Sequence, residues 1–167
     1  MNVLPRTRPG ARVKRLPSLW ASLALACSLG ACDGGAVPSE SASYSDGWIT
    51  IGDQRIALEI ARTPEQQELG LGGRASLAWG QGMLFQYDKP IFPRFWMKDM
   101  RFDIDIIWIR EGRVIEISNQ VPHVPGENGP TASPRSLADT VLEVPSGFAQ
   151  ANRWHRGLPV KLEILTD

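Results

Sequence analysis

Beyond residue 47, hydrophobic and polar positions mostly alternate with a period of two, the signature of half-buried strands. Trp48–Ile51 and Arg55–Ala61 alternate on either side of Gly52-Asp53-Gln54, which predicts a hairpin. Further strands are predicted at Gly82–Gln86, Phe95–Lys98, Ile104–Arg110, Arg113–Ser118, Thr140–Val144 and Leu158–Leu165. Glu111-Gly112 is a tight-turn pair and makes a second hairpin of the strands beside it. Thr63-Pro64-Glu65 supplies a capping hydroxyl, a proline at the first helical position and an acid in the first turn. A helix is therefore predicted to run from there to Leu69 and stop at Gly70. Ser146–Trp154 reads as a second short helix. Strands dominate and do not alternate with helices. The expected class is α+β, strand-rich: a compact antiparallel sheet or barrel-like domain with two short helices.

The pattern before residue 48 is different. Five basic residues (Arg6, Arg8, Arg12, Lys14, Arg15) precede a mostly apolar run, Leu16–Leu29. That run is shorter than the roughly 20 apolar residues a membrane-spanning helix needs, and it fits the core of an export signal. Leu29-Gly30-Ala31-Cys32 then resembles the lipobox of bacterial lipoproteins, in which the cysteine thiol takes the lipid. The expected organisation is a lipoprotein signal peptide over 1–31, a lipidated and disordered tether over 32–47, and one globular domain over 48–167. The tether is Gly/Ser-rich and polar, with a mean reach of about 20 Å. An ordinary secretory signal, with Cys32 incidental, is the alternative. On the lipoprotein reading the membrane is a partner through the lipid on Cys32, and the domain faces the periplasm or the cell exterior. Asp33 after the cysteine resembles an inner-membrane retention signal.

Composition narrows the partners. Five of the 18 Lys/Arg lie in 1–31, leaving 13 against 18 Asp/Glu, so the remainder carries a charge of −5. An acidic domain has no electrostatic attraction for nucleic acid or anionic lipid heads. The cysteines are Cys27, inside the export segment, and Cys32, so no disulfide, zinc cluster or thiol catalyst is expected in the domain. No cofactor or metal is expected.

The segment densest in chemistry is Phe95-Trp96-Met97-Lys98-Asp99-Met100. As a strand it puts Trp96, Lys98 and Met100 on one face and Phe95, Met97 and Asp99 on the other. An aromatic plane beside a cation stacks a flat ligand and holds an anionic group; equally, Lys98 can simply lay its stem along the indole. Asp105 falls on the apolar face shared by Ile107 and Ile109, and needs a partner there, with Lys98, Arg74 and Arg101 as candidates. Asp103 and Asp105 are spaced for acid/base work or for holding a cation, and Asp105 is equally suited to fixing a loop by accepting backbone N–H bonds. Glu143, on the face of Val141, raises the same question. Gly70–Arg74 and Gly80–Met83 are turns without phosphate-loop context. His123 and His155 stand near no motif serine, so no catalytic residue is assigned. Val121–Pro134, with four prolines, is too long to be an idle loop: it is either functional or a strap over a sheet edge.

Thr63-Pro64-Glu65, Gly70-Leu71, Gly82-Met83-Leu84-Phe85, Phe95-Trp96-Met97-Lys98-Asp99, Asp105-Ile106, Gly112-x-Val114 and Leu142-Glu143 occur in that order. Together they resemble the domain of unknown function 192 family over about residues 55–163. The resemblance implies a small bacterial or archaeal domain, often behind a signal or lipoprotein leader, with no established activity. Arg74, Trp96, Lys98 and Asp105 match the family pattern. Gly72, Asp99, Met100 and Asp103 depart from it.

Three readings follow. The first is a membrane-anchored accessory module that binds a small ligand or an envelope protein through Arg74, Trp96, Met97, Lys98, Asp99, Asp105 and Glu143. The second is an envelope hydrolase or other enzyme using Asp105 and Glu143. The third is a purely structural interaction domain.

Overall fold

A computed structural model describes residues 46–165. The export segment and most of the tether lie outside the described residues. The first described residues already join the sheet. The Asp46 carboxylate accepts the Ile60 N–H at 2.7 Å and pairs with Arg62 at 3.3 Å, and β1 begins at Gly47 (Gly47–Ile51).

β1 and β2 (Gln54–Ile60) form the expected hairpin, with Ile49, Ile51, Ile56 and Leu58 wholly buried. Helix α1 (Pro64–Leu69) carries a capping box. The Thr63 hydroxyl accepts the Gln66 N–H at 3.2 Å and the Gln66 side chain accepts the Thr63 N–H at 3.0 Å. β3 (Gln81–Ile91) runs five residues further than its alternation predicts and lies parallel to β2. This corrects the antiparallel expectation. β2, α1 and β3 form one β-α-β crossover inside an otherwise antiparallel sheet, because a strand that returns through a helix comes back in the same direction. β4 is short (Phe95–Trp96), and β5 (Ile104–Arg110) and β6 (Arg113–Val121) make the second hairpin. β7 (Thr131–Ala132) pairs with β4. β8 (Ala138–Pro145), the one-turn helix α2 (Phe148–Ala151) and β9 (Val160–Ile164) complete the chain.

The seven-stranded sheet has the order β6-β5-β8-β3-β2-β1-β9. It curls into a half-barrel whose edge strands meet at one end, through an Arg113–Pro159 bridge and the Val114 N–H to Leu158 carbonyl bond at 3.0 Å. The concave core gathers Ile49, Ile51, Ile56, Leu58, Ile107, Leu142 and Phe148. The second core gathers Met83, Phe85, Met97, Ile106, Trp108 and Val141 on the opposite face. β5, β8 and the first half of β3 are thus covered on both sides, which is why β5 reads as a near-continuous apolar run rather than an alternation. The wholly buried Trp108 donates its indole N–H to Ser118 Oγ at 3.0 Å, so its one polar atom is satisfied.

Candidate functional site

Three segments converge over the second core. α1 ends at Gly70, whose φ of 53° turns the chain sharply where a side chain would be strained. The following loop docks by Gly73, whose N–H donates to the Asp99 carbonyl at 2.9 Å. β4 stops at Trp96 because Met97 stands opposite Pro130: its amide donates to the Pro130 carbonyl at 3.2 Å, but proline has no N–H to return the bond. A turn follows in which Asp99 takes a φ of 57°. This corrects the strand expected to reach Lys98. Met97 and Met100 are buried, while Trp96, Lys98 and Asp99 face outward. The third segment is the long proline-rich loop. His123 holds its start to Asp103 through a backbone N–H at 2.9 Å and a ring nitrogen at 2.6 Å. Those two hydrogen bonds hold the Asp103 carboxyl below the usual carboxylate range. Its far end is β7, the strap over the short β4. Nearer its start, Val124–Glu127 line a groove.

That groove has a volume of about 650 Å³ between Leu69–Gly73, Asp99–Arg101 and the loop. A second hollow, of about 220 Å³, continues it between Glu65, Glu68, Lys98 and Asp99. A narrow slot of about 20 Å³ leads inward from there, walled by Gly70, Leu71, Phe85, Phe95, Trp96 and Met100, and ends on Glu143.

Glu143 lies in the middle of the sheet, opposite Met83 on β3 and Ile106 on β5. It is 5% exposed, and its Oε2 is buried with no hydrogen-bond partner. A methyl group placed on Gly70 would stand 4.0 Å from that oxygen, so the helix-ending glycine leaves the slot open. Burial pushes the Glu143 carboxyl up to about 8, against the downward pull of Arg74. Burial, and then the Glu143 charge, also raise the Tyr87 phenol. The Arg74 guanidinium is clamped in a two-pronged pair with Glu59, at 2.6 and 2.7 Å. At the mouth, Lys98 Nζ sits 5.3 Å from the Trp96 ring centroid.

The sequence candidates therefore divide. Trp96, Lys98 and Glu143 line one slot, Asp99 lines the adjoining hollows, and Arg74 acts on Glu143 from the side. Met97 is core. Asp105 is elsewhere. Its register partner is Val144, so it projects from the sheet face opposite to Glu143. Its carboxylate accepts the N–H groups of Gln120 (2.7 Å), Gly147 (3.1 Å) and Ala149 (2.9 Å). Neither Lys98, Arg74 nor Arg101 is its partner. It caps α2, whose N-cap Gly147 has no side chain to do so. With the two acids on opposite faces, one bound molecule does not meet both, and the paired-carboxylate arrangement does not form. Sequence reasoning missed Glu59, the Asp103–His123 clasp, and Phe85 and Phe95 as slot walls. Glu59 carried a signal, a charged residue alternating with Leu58 and Ile60, but nothing in the sequence paired it with Arg74.

Among the described residues no group of three or more His, Cys, Asp or Glu is placed to hold a metal ion, and no helix is long and apolar enough to cross a membrane.

The family model DUF192, described as uncharacterized ACR, matches residues 47–162. No curated protein matches the chain. Among solved structures, a protein of unknown function from Novosphingobium aromaticivorans is 28% identical with a TM-score of 0.62, over 68% of this chain and 83% of that one. A protein from Sinorhizobium meliloti, described as a candidate transcription regulator, is 24% identical with a TM-score of 0.64, over 72% of this chain and 96% of that one. The latter likeness is one of fold.

Proposed function

The chain belongs to the uncharacterized DUF192 family, and on that footing we propose that it is a ligand-binding module, tethered to the cell envelope through a lipid on Cys32. One observation carries the binding half. A carboxyl oxygen is buried without a partner at the end of a slot that opens into a groove. Leaving a buried polar atom unsatisfied costs about 1–3 kcal/mol, a cost that a structural role would remove by supplying a donor and a ligand site retains for its occupant. Trp96 supplies an exposed aromatic face at the mouth, and Leu69, 65% exposed, supplies an apolar edge beside it. The envelope half is supported by the order of basic run, short apolar run and Leu29-Gly30-Ala31-Cys32.

Fragment mixtures titrated into isotopically labelled protein test the binding half. Hits are expected to shift the amides of Gly70–Gly73 and Lys98–Met100 and the Trp96 indole, and to lose those shifts in Trp96→Ala. Hits confined to other surfaces would refute it.

A further inference from the structure

We propose that the Glu143 slot seats a primary alkylammonium group, carried on an unbranched aliphatic chain that lies along the adjoining groove. The proposal rests on the ligand-site reading above and names its ligand class. Four features point the same way. The end of the slot is a carboxyl oxygen with no partner, which, once the group ionises, an N⁺–H donor satisfies. The walls are aromatic, with Phe85 and Phe95 edge to face at 4.8 Å and Trp96 beyond them. Aromatic faces attract cations, and the chain already holds one there: the Lys98 ammonium lies 5.3 Å from the Trp96 centroid. The slot's volume, about 20 Å³, admits one water-sized group such as –NH₃⁺ and excludes a trimethylammonium head. Outside it, Glu65, Glu68 and Asp99 face the single cation Lys98, with Leu69 and Gly72 between them for methylene groups.

The charged and titratable groups around Glu143 leave room for this charge. Arg74, whose charge already pulls on Glu143, is held by Glu59 through two nitrogens, Tyr87 on β3 is held neutral by burial, and the Lys98 ammonium lies over Trp96 at the mouth. At neutral pH the Glu143 carboxyl is largely protonated, so seating an ammonium releases that proton. Affinity then rises about tenfold per pH unit until about pH 8, and levels off above it.

The test is amide chemical-shift mapping on the full chain in mild detergent, with pentylammonium as the probe and pentanol, pentanoate and tetramethylammonium as comparators. Pentylammonium is expected to shift Gly70, Leu71 and the Trp96 indole saturably, and the comparators are not. Glu143→Gln is expected to weaken binding about tenfold or more and to remove its pH dependence. Lys98→Ala is expected to tighten it several-fold by removing the competing ammonium. Spermidine and a Gly-Lys-Gly peptide separate a free amine from a protein-borne lysine. If Glu143→Gln fails to fold, the pH series on the unaltered chain carries the test. Saturable shifts from pentanol or pentanoate, with none from pentylammonium, would overturn the ammonium assignment while leaving a ligand site. No shift at these groups from any probe, pentylammonium binding that ignores pH, or undiminished binding by a folded Glu143→Gln would overturn it outright.

Discussion

Replacing Glu143 by Gln changes one proton-binding group and little else, since the amide keeps the volume of the protonated acid. In the unfolded chain the carboxyl titrates at its ordinary 4.5, whereas in the fold burial raises it to about 8. The native state therefore binds this proton more tightly than the unfolded state. The stability that proton contributes is full below pH 4.5 and is lost as pH rises through 8. Between the two values the slope is about −1.4 kcal/mol per pH unit. From pH 5 to pH 9 the loss amounts to about 4 kcal/mol, a large share of the 5–15 kcal/mol that holds a typical domain together. Other groups contribute their own pH dependence, and subtracting the variant removes it. Urea unfolding of both proteins at five pH values gives the quantity needed, the difference in unfolding free energy at each pH. That difference is expected to move by about 4 kcal/mol in favour of Glu143→Gln as pH rises from 5 to 9. Curves that run parallel would show that Glu143 is ionised in the fold at neutral pH, and would refute the reading of a desolvated slot.

Three further outcomes are expected. Asp105→Ala strands the amides of Gln120, Gly147 and Ala149, and should cost roughly 3 kcal/mol or more, with hydrogen exchange accelerated at those amides first. Gly129→Ala sets a side chain at a φ of 61° and 2.6 Å from Met97 Cβ, so denaturant unfolding should show a loss of about 2 kcal/mol, with the Val124–Glu127 side of the groove rearranged. Cys32→Ser should abolish incorporation of a palmitate analogue in cells; labelling that persists would remove the anchor.

The elements legible in the sequence are those fixed by neighbours along the chain. The β1–β2 and β5–β6 hairpins follow from alternation on either side of a turn, and α1 from a cap whose partners lie three residues apart. The parallel β2–β3 pairing was not legible, because its register is set across α1 and the Gly70–Gly80 loops by packing of both sheet faces. β4 ended early because the residue opposite its next position, Pro130, lies 33 residues away and has no N–H to continue the ladder. The same limit governs the site. Asp105 and Glu143 each announce themselves as acids on apolar strand faces. Only the β5–β8 register, which sets Asp105 against Val144 and Glu143 against Ile106, sends them to opposite sides. One then finds three amides and a helix to cap, and the other finds a slot that opens toward the groove.

The most direct measurement is an NMR titration of the Glu143 side-chain carboxyl carbon, with and without saturating pentylammonium. The free protein should titrate near 8, and the amine should draw the midpoint down by a unit or more. A midpoint in the ordinary carboxylate range, or one indifferent to the amine, would contradict the account.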